Sequence, residues 1–162
     1  MKRVALVAAA LAPAALIAAP MAQAQDCSTL YSVISSGQQD QFEGIFDDEV
    51  DDGIFETTLT FPKADACEVD SFEPYYYCRW DAQTAADADK AIMPLYDMVK
   101  VCLSENWAWT DLTGKTSILG AKILEGYSMT KTKGEHKDAV VRLYIAPQDG
   151  GVRQVWLEAA PY

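Results

Sequence analysis

The stretch Asp81–Asn106, DAQTAADADKAIMPLYDMVKVCLSEN, constrains the fold more than any other. Ala88, Ala91, Ile92, Leu95, Val99, Cys102 and Leu103 recur at the spacing of one α-helical face, leaving Asp87, Asp89, Lys90, Asp97 and Lys100 for solvent. A helix with a single apolar stripe has to bury it against a second layer. The spacing predicts a helix from about Thr84 to Ser104, kinked where Pro94 removes the hydrogen bond to the Lys90 carbonyl.

The second layer is sought on either side of this helix. Asp26 is placed to cap a first helix, in which Cys27, Leu30, Tyr31 and Ile34 share a face and which Ser35-Ser36-Gly37 ends. Phe46–Gly53, FDDEVDDG, is too charged for burial and reads as a loop. Ile54–Phe61 alternates as a half-buried strand does, with Phe55, Thr57, Leu59 and Phe61 on one side. Ala66–Val69 is extended, and Tyr75–Asp81 sets Tyr76, Cys78 and Trp80 against Tyr75, Tyr77 and Arg79 on opposite faces.

After the helix come strand-like runs at Trp107–Leu112, Lys122–Thr130, Ala139–Ala146 and Val152–Ala159, with Gly126 read as a bulge. The short connections between them call for antiparallel pairing. The expectation is a small single α+β domain, with two main helices packed on a curved antiparallel sheet of five to six strands, in the order α-β-β-β-α-β-β-β. No internal repeat, low-complexity tract or linker divides the chain.

Residues 1–24 read as an export signal peptide of bacterial type. Lys2 and Arg3 precede the apolar, Ala-rich run Val4–Ala19, and Ala22-Gln23-Ala24 offers a cleavage site. The run falls short of the roughly 20 apolar residues of a membrane span and is flanked and broken by Pro13 and Pro20. Gln25 and Asp26 before Cys27 speak against a lipid anchor. Cleavage leaves residues 25–162 as one domain, with no membrane span, in the periplasm or outside the cell.

In that setting the four cysteines read as two disulfides. Cys67–Cys78 is favoured because Pro74 lets the ten residues between turn back, and Cys27–Cys102 then joins the two helices. Zinc does not fit, since there is no C-x-x-C and only one histidine.

Charge points to the class of partner. The formal net charge is −11, and the leader carries two bases and no acid, so the remainder carries −13. Residues 25–106 hold 18 acids and 4 bases, while residues 107–162 hold 6 acids and 7 bases. Such a surface repels nucleic acid and attracts a basic protein.

Several motifs fail on spacing. With Gly53 at the glycine position of a calcium loop, Val50 and Leu59 fall where ligands are required. Gly114-Lys115-Thr116 has Trp109 where a phosphate loop needs its first glycine. His136, among lysines, reads as a surface residue and not as a rigidly oriented base. A carboxylate pair for glycoside hydrolysis would draw on Asp70, Glu73 or Asp81, which nothing in the sequence separates from surface acids.

The expectation is therefore an exported, non-enzymatic binding protein, inhibitor- or immunity-like, that needs no cofactor and holds no metal. Its binding residues would be Asp47, Asp48, Glu49, Asp51 and Asp52, with Tyr75, Tyr77 and Trp109 as exposed aromatic contacts. The alternatives are an envelope module that stacks a small ligand or glycan on those aromatics, and a carboxylate hydrolase.

Overall fold

Seven runs with buried or half-buried apolar residues and one acidic run build the larger layer. The computed structural model of the chain describes residues 19–117 and 120–161. Residues 1–18 of the expected leader lie outside the described residues. The helix α1 spans Ala19–Asp40, and the strands β1 (Phe46–Asp51), β2 (Ile54–Thr57), β3 (Ala66–Asp70) and β4 (Tyr75–Ala82) follow. The helix α2 covers Ala85–Cys102, and β5 (Trp107–Asp111), β6 (Glu125–Lys131), β7 (Val140–Pro147) and β8 (Arg153–Ala160) complete the fold. All eight strands join one antiparallel sheet in the order β1-β2-β3-β4-β8-β7-β6-β5.

This corrects the expected fold. The chain is mostly sheet, with eight strands and not five to six, and four strands stand between the helices where three were expected. Four strands also follow α2 where three were expected, and the strand missing between the helices is β1. Its burial pattern shows only Phe46 partly covered, so it has no apolar face for a sequence to reveal. An edge strand needs none, and negative charge along it discourages pairing with chains of the same sign. The signal that finds it is Asp52-Gly53, a two-residue connection with Gly53 at φ 71°, between Asp51 and its partner Ile54. The topology also repeats where the sequence does not: helix then four-stranded meander, twice, with the last strands of the two meanders, β4 and β8, paired at the centre.

Both helices bury their stripes against one face of the sheet. Leu30, Val33 and Ile34 of α1 and Ala88, Ile92, Leu95, Met98, Val99 and Cys102 of α2 meet Val69, Tyr76, Cys78, Trp80, Met129, Val141, Leu143, Val155 and Leu157. Thr84 caps α2, accepting the Asp87 N–H on its hydroxyl. Pro94 stands inside α2 on its solvent side, and the helix runs through it.

The cysteines form Cys27–Cys102 and Cys67–Cys78. The first ties α1 to the end of α2, where Tyr31 also donates to the Cys102 carbonyl. The second links directly opposed residues of β3 and β4, Cα atoms 4.1 Å apart. Bridges of this kind persist in oxidising compartments. Among the described residues no helix is long and apolar enough to cross a membrane.

Gly126 is no bulge, because β6 and β7 stay in unbroken register through it. A Cβ there would lie 2.3 Å from Cβ of Tyr144 and 2.6 Å from the Leu143 carbonyl oxygen. The glycine serves the close approach of the two strands.

Candidate functional site

The outer face of the sheet, away from the helices, is built by the alternate residues of the same strands. Along β4 these are Tyr75, Tyr77, Arg79 and Asp81, and along β8 Gln154, Trp156, Glu158 and Ala160. The register sets Glu56, Glu68, Tyr77, Glu158, Arg142 and Ser128 side by side in one row across six strands. A polar row of this kind is visible in sequence only as single polar residues in apolar runs, and pairing order is needed to bring them together.

Part of that row is buried. Tyr75, Tyr77, Tyr144, Trp156, Ala146 and Ala160 form a second apolar cluster, closed over by Ile123 with Leu112 and Ala121. Glu158, only 1% exposed, lies within it. Its Oε1 accepts from the Tyr144 hydroxyl, and its Oε2 stands 3.6 Å from Nη1 of Arg142. Burial pushes the Glu158 carboxyl above the ordinary glutamate range, against the opposing pull of Tyr144 and Arg142. The Tyr77 hydroxyl donates to Glu68.

Burial also moves the phenols. It pushes Tyr75 up to about 12, with the charges of Asp70, Glu158, Glu73 and Glu68 adding to it. Tyr77 rises through burial and then the bond to Glu68, and Tyr144 through burial and then the charge of Glu158. All three stay protonated at neutral pH, and Tyr77 and Tyr144 act as hydrogen-bond donors, to Glu68 and Glu158. The arrangement is a closed, cross-braced ladder rather than an open reaction centre.

The residues expected to bind a partner are not brought together. Asp47, Asp48, Glu49 and Asp51 stand exposed on β1, with Asp52 at its turn, at one edge of the sheet. Tyr75 and Tyr77 lie at its centre and are 7% and 8% exposed, so they offer no aromatic surface to solvent. Trp109 is half-buried on β5, at the opposite edge, with its ring against Tyr96 and Tyr127 at centroid distances of 5.9 and 6.1 Å. Lys100 and Ser104 complete a shallow recess of about 340 Å³ there.

The other candidates are also placed. Asp70 holds the β3–β4 turn by accepting the N–H groups of Phe72 and Glu73, at 2.8 and 3.1 Å. Asp81 accepts from Nε2 of Gln154 at 2.8 Å and lies 4.0 Å from Nε of Arg79. His136 is half-buried, and not fully exposed as expected, with Glu135 3.9 Å away. Among the described residues no three His, Cys, Asp or Glu side chains gather as a metal site would require.

What the fold does concentrate is charge. Residues 46–82, which contain β1–β4, carry eleven carboxylates against Lys63 and Arg79 alone. Residues 107–160, which contain β5–β8, carry six acids against seven bases. The imbalance seen along the sequence is therefore an imbalance across the sheet, with the acidic meander ending at β1.

A cleft that sequence reasoning missed lies at the other end of β4. Its walls are Phe61, Trp80, Ala91, Pro94, Leu95 and Met98, its rim carries Asp26, Lys63, Asp65, Asp81 and Lys90, and its volume is about 380 Å³. The volume is that of a site for a small ligand, of order 300–1,000 Å³. Compared with known proteins, the chain matches no family model and no curated protein.

Proposed function

We propose that the chain is an exported binding protein, cleaved after Ala24, whose acidic meander β1–β4 docks a basic protein partner without acting on it chemically. The observation that carries this reading is the segregation of charge, eleven carboxylates on the β1–β4 side against near neutrality on the other. One-sided charge of this kind steers association and selects partners by sign. Two disulfides support export, since they suit a chain that works in an oxidising space such as the periplasm.

The test is capture from the source cell's own envelope extract on the immobilised, oxidised protein, at about 50 mM and about 500 mM salt. A variant with Asp47, Asp48, Glu49, Asp51 and Asp52 changed to Asn or Gln is run beside it. A basic protein held only at low salt, and lost with the variant, is the expected result. Retention that ignores both salt and the substitutions defeats the reading.

The Phe61–Trp80 cleft favours a second reading, an envelope module that binds a small apolar ligand. Binding there would survive high salt and be lost on Trp80→Ala, judged on a variant shown to fold by its circular dichroism.

A further inference from the structure

We propose that β1 receives a lysine- or arginine-rich extended segment of the partner as a ninth strand of the sheet. The proposal rests on the reading of β1–β4 as the docking side and specifies how docking occurs.

The backbone supplies the first argument. β1 ends the sheet, pairs with β2 alone among the described strands, and is exposed from Asp47 to Asp51. An edge strand presents a row of backbone donors and acceptors to any chain that can lie alongside.

Side chains then decide which chain that is. From Asp47 to Asp52 every residue but Val50 is a carboxylate. Glu49 pairs with Phe55 on the helix-bearing face, and after a register shift Asp51 pairs with Ile54 on the outer face, so negative charge flanks the edge on both sides. A second copy would bring its own acidic β1 and be repelled. An extended segment with cations on both faces meets a carboxylate at either side of the new pairing, where opposite charges across strands attract. The opposite edge, β5, carries one carboxylate, Asp111, and lacks this selectivity.

The edge is also held in place before anything binds. Glu49 accepts the Gly53 N–H at 3.1 Å, and Ser71 of the next hairpin donates both its N–H and its hydroxyl to the Gly53 carbonyl at 2.9 Å. Restraint in advance lowers the cost of ordering a new strand.

The probe is a synthetic peptide of about ten residues repeating Lys-Lys-Val-Val, which carries lysine on both faces when extended and is long enough to span an edge strand. Two further peptides carry N-methyl groups on the even or on the odd residues. N-methylation changes no charge but removes the N–H groups along one side of an extended chain. Each is titrated by calorimetry into the full oxidised chain at about 50 mM salt.

If a strand is added, one methylated peptide binds like the parent and the other binds about tenfold or more weakly. Amide exchange in Asp47–Asp51 then slows with the parent peptide. If both methylated peptides bind as well as the parent, strand addition is overturned while docking by charge stands. If no peptide binds at low salt, the docking reading itself falls. The changes sit on the peptide, so folding of the protein is not at issue.

Discussion

At Glu158 the chain buries an acid between Leu157 and Ala159, which face the helices, so that the carboxylate points into the outer cluster of Tyr75, Tyr77, Tyr144 and Trp156. Its folded-state pKa is raised by burial. A raised folded pKa means that the folded chain holds this proton more tightly than the unfolded chain. Its contribution to stability is therefore fully present below the ordinary glutamate pKa, and is lost as pH rises through the folded value. Glu158→Gln keeps an acceptor for Tyr144 and removes the ionisation. Melting temperatures from about pH 4 to about pH 8 should fall less with rising pH in the variant than in the parent. Parallel curves would show that Arg142, 3.6 Å away, already compensates the charge in full. In sequence Glu158 is only a break in an apolar run. The exposure expected for Tyr75 and Tyr77 failed for a related reason. Their alternation put them on the outer face, as observed, but covering that face takes Trp156 and Ile123 from distant parts of the chain, which no local period announces.

Among the elements, α2 and β1 mark the two ends of legibility. The stripe from Ala88 to Leu103 located α2 because a helix on a sheet has to show its buried side at fixed intervals. β1 showed nothing of the kind, since neither of its faces is buried beyond Phe46. Pro94 sits on the solvent side of α2, which continues through it to Cys102. A proline inside a helix removes one hydrogen bond and crowds the carbonyl four residues earlier, at a cost of roughly 3 kcal/mol. Pro94→Ala should therefore raise the stability by about 1–3 kcal/mol, read from the midpoint of denaturant unfolding. A loss of stability would mean that the ring's contribution to the wall beside Leu95 and Met98 outweighs the restored bond.

For the molecule as a whole, the two disulfides brace different lengths of chain. Cys27–Cys102 closes a separation of 75 residues and Cys67–Cys78 one of 11. On loop entropy alone the longer closure contributes about 4.5 kcal/mol and the shorter about 2.8 kcal/mol. The Cys27→Ser/Cys102→Ser pair should therefore lower the unfolding midpoint more than Cys67→Ser/Cys78→Ser. The reverse order would show that the β3–β4 pairing depends on its bridge for more than entropy. Spacing and turn residues made both pairings readable, because a short loop with a proline limits where a cysteine can reach. The sheet order was not readable, because nothing local states that β4 takes β8 as its neighbour.

That central seam bears on the order in which the polypeptide can close its sheet. Until β8 is synthesised, β1–β4 and β5–β7 are two unjoined ribbons, each with an apolar inner edge waiting for the same eight residues, Arg153–Ala160. A nascent chain so arranged cannot close its sheet until the final strand has left the ribosome. A stop codon shortly before Arg153 would leave both ribbons with open edges, so that even a short truncation exposes unpaired strands to proteases.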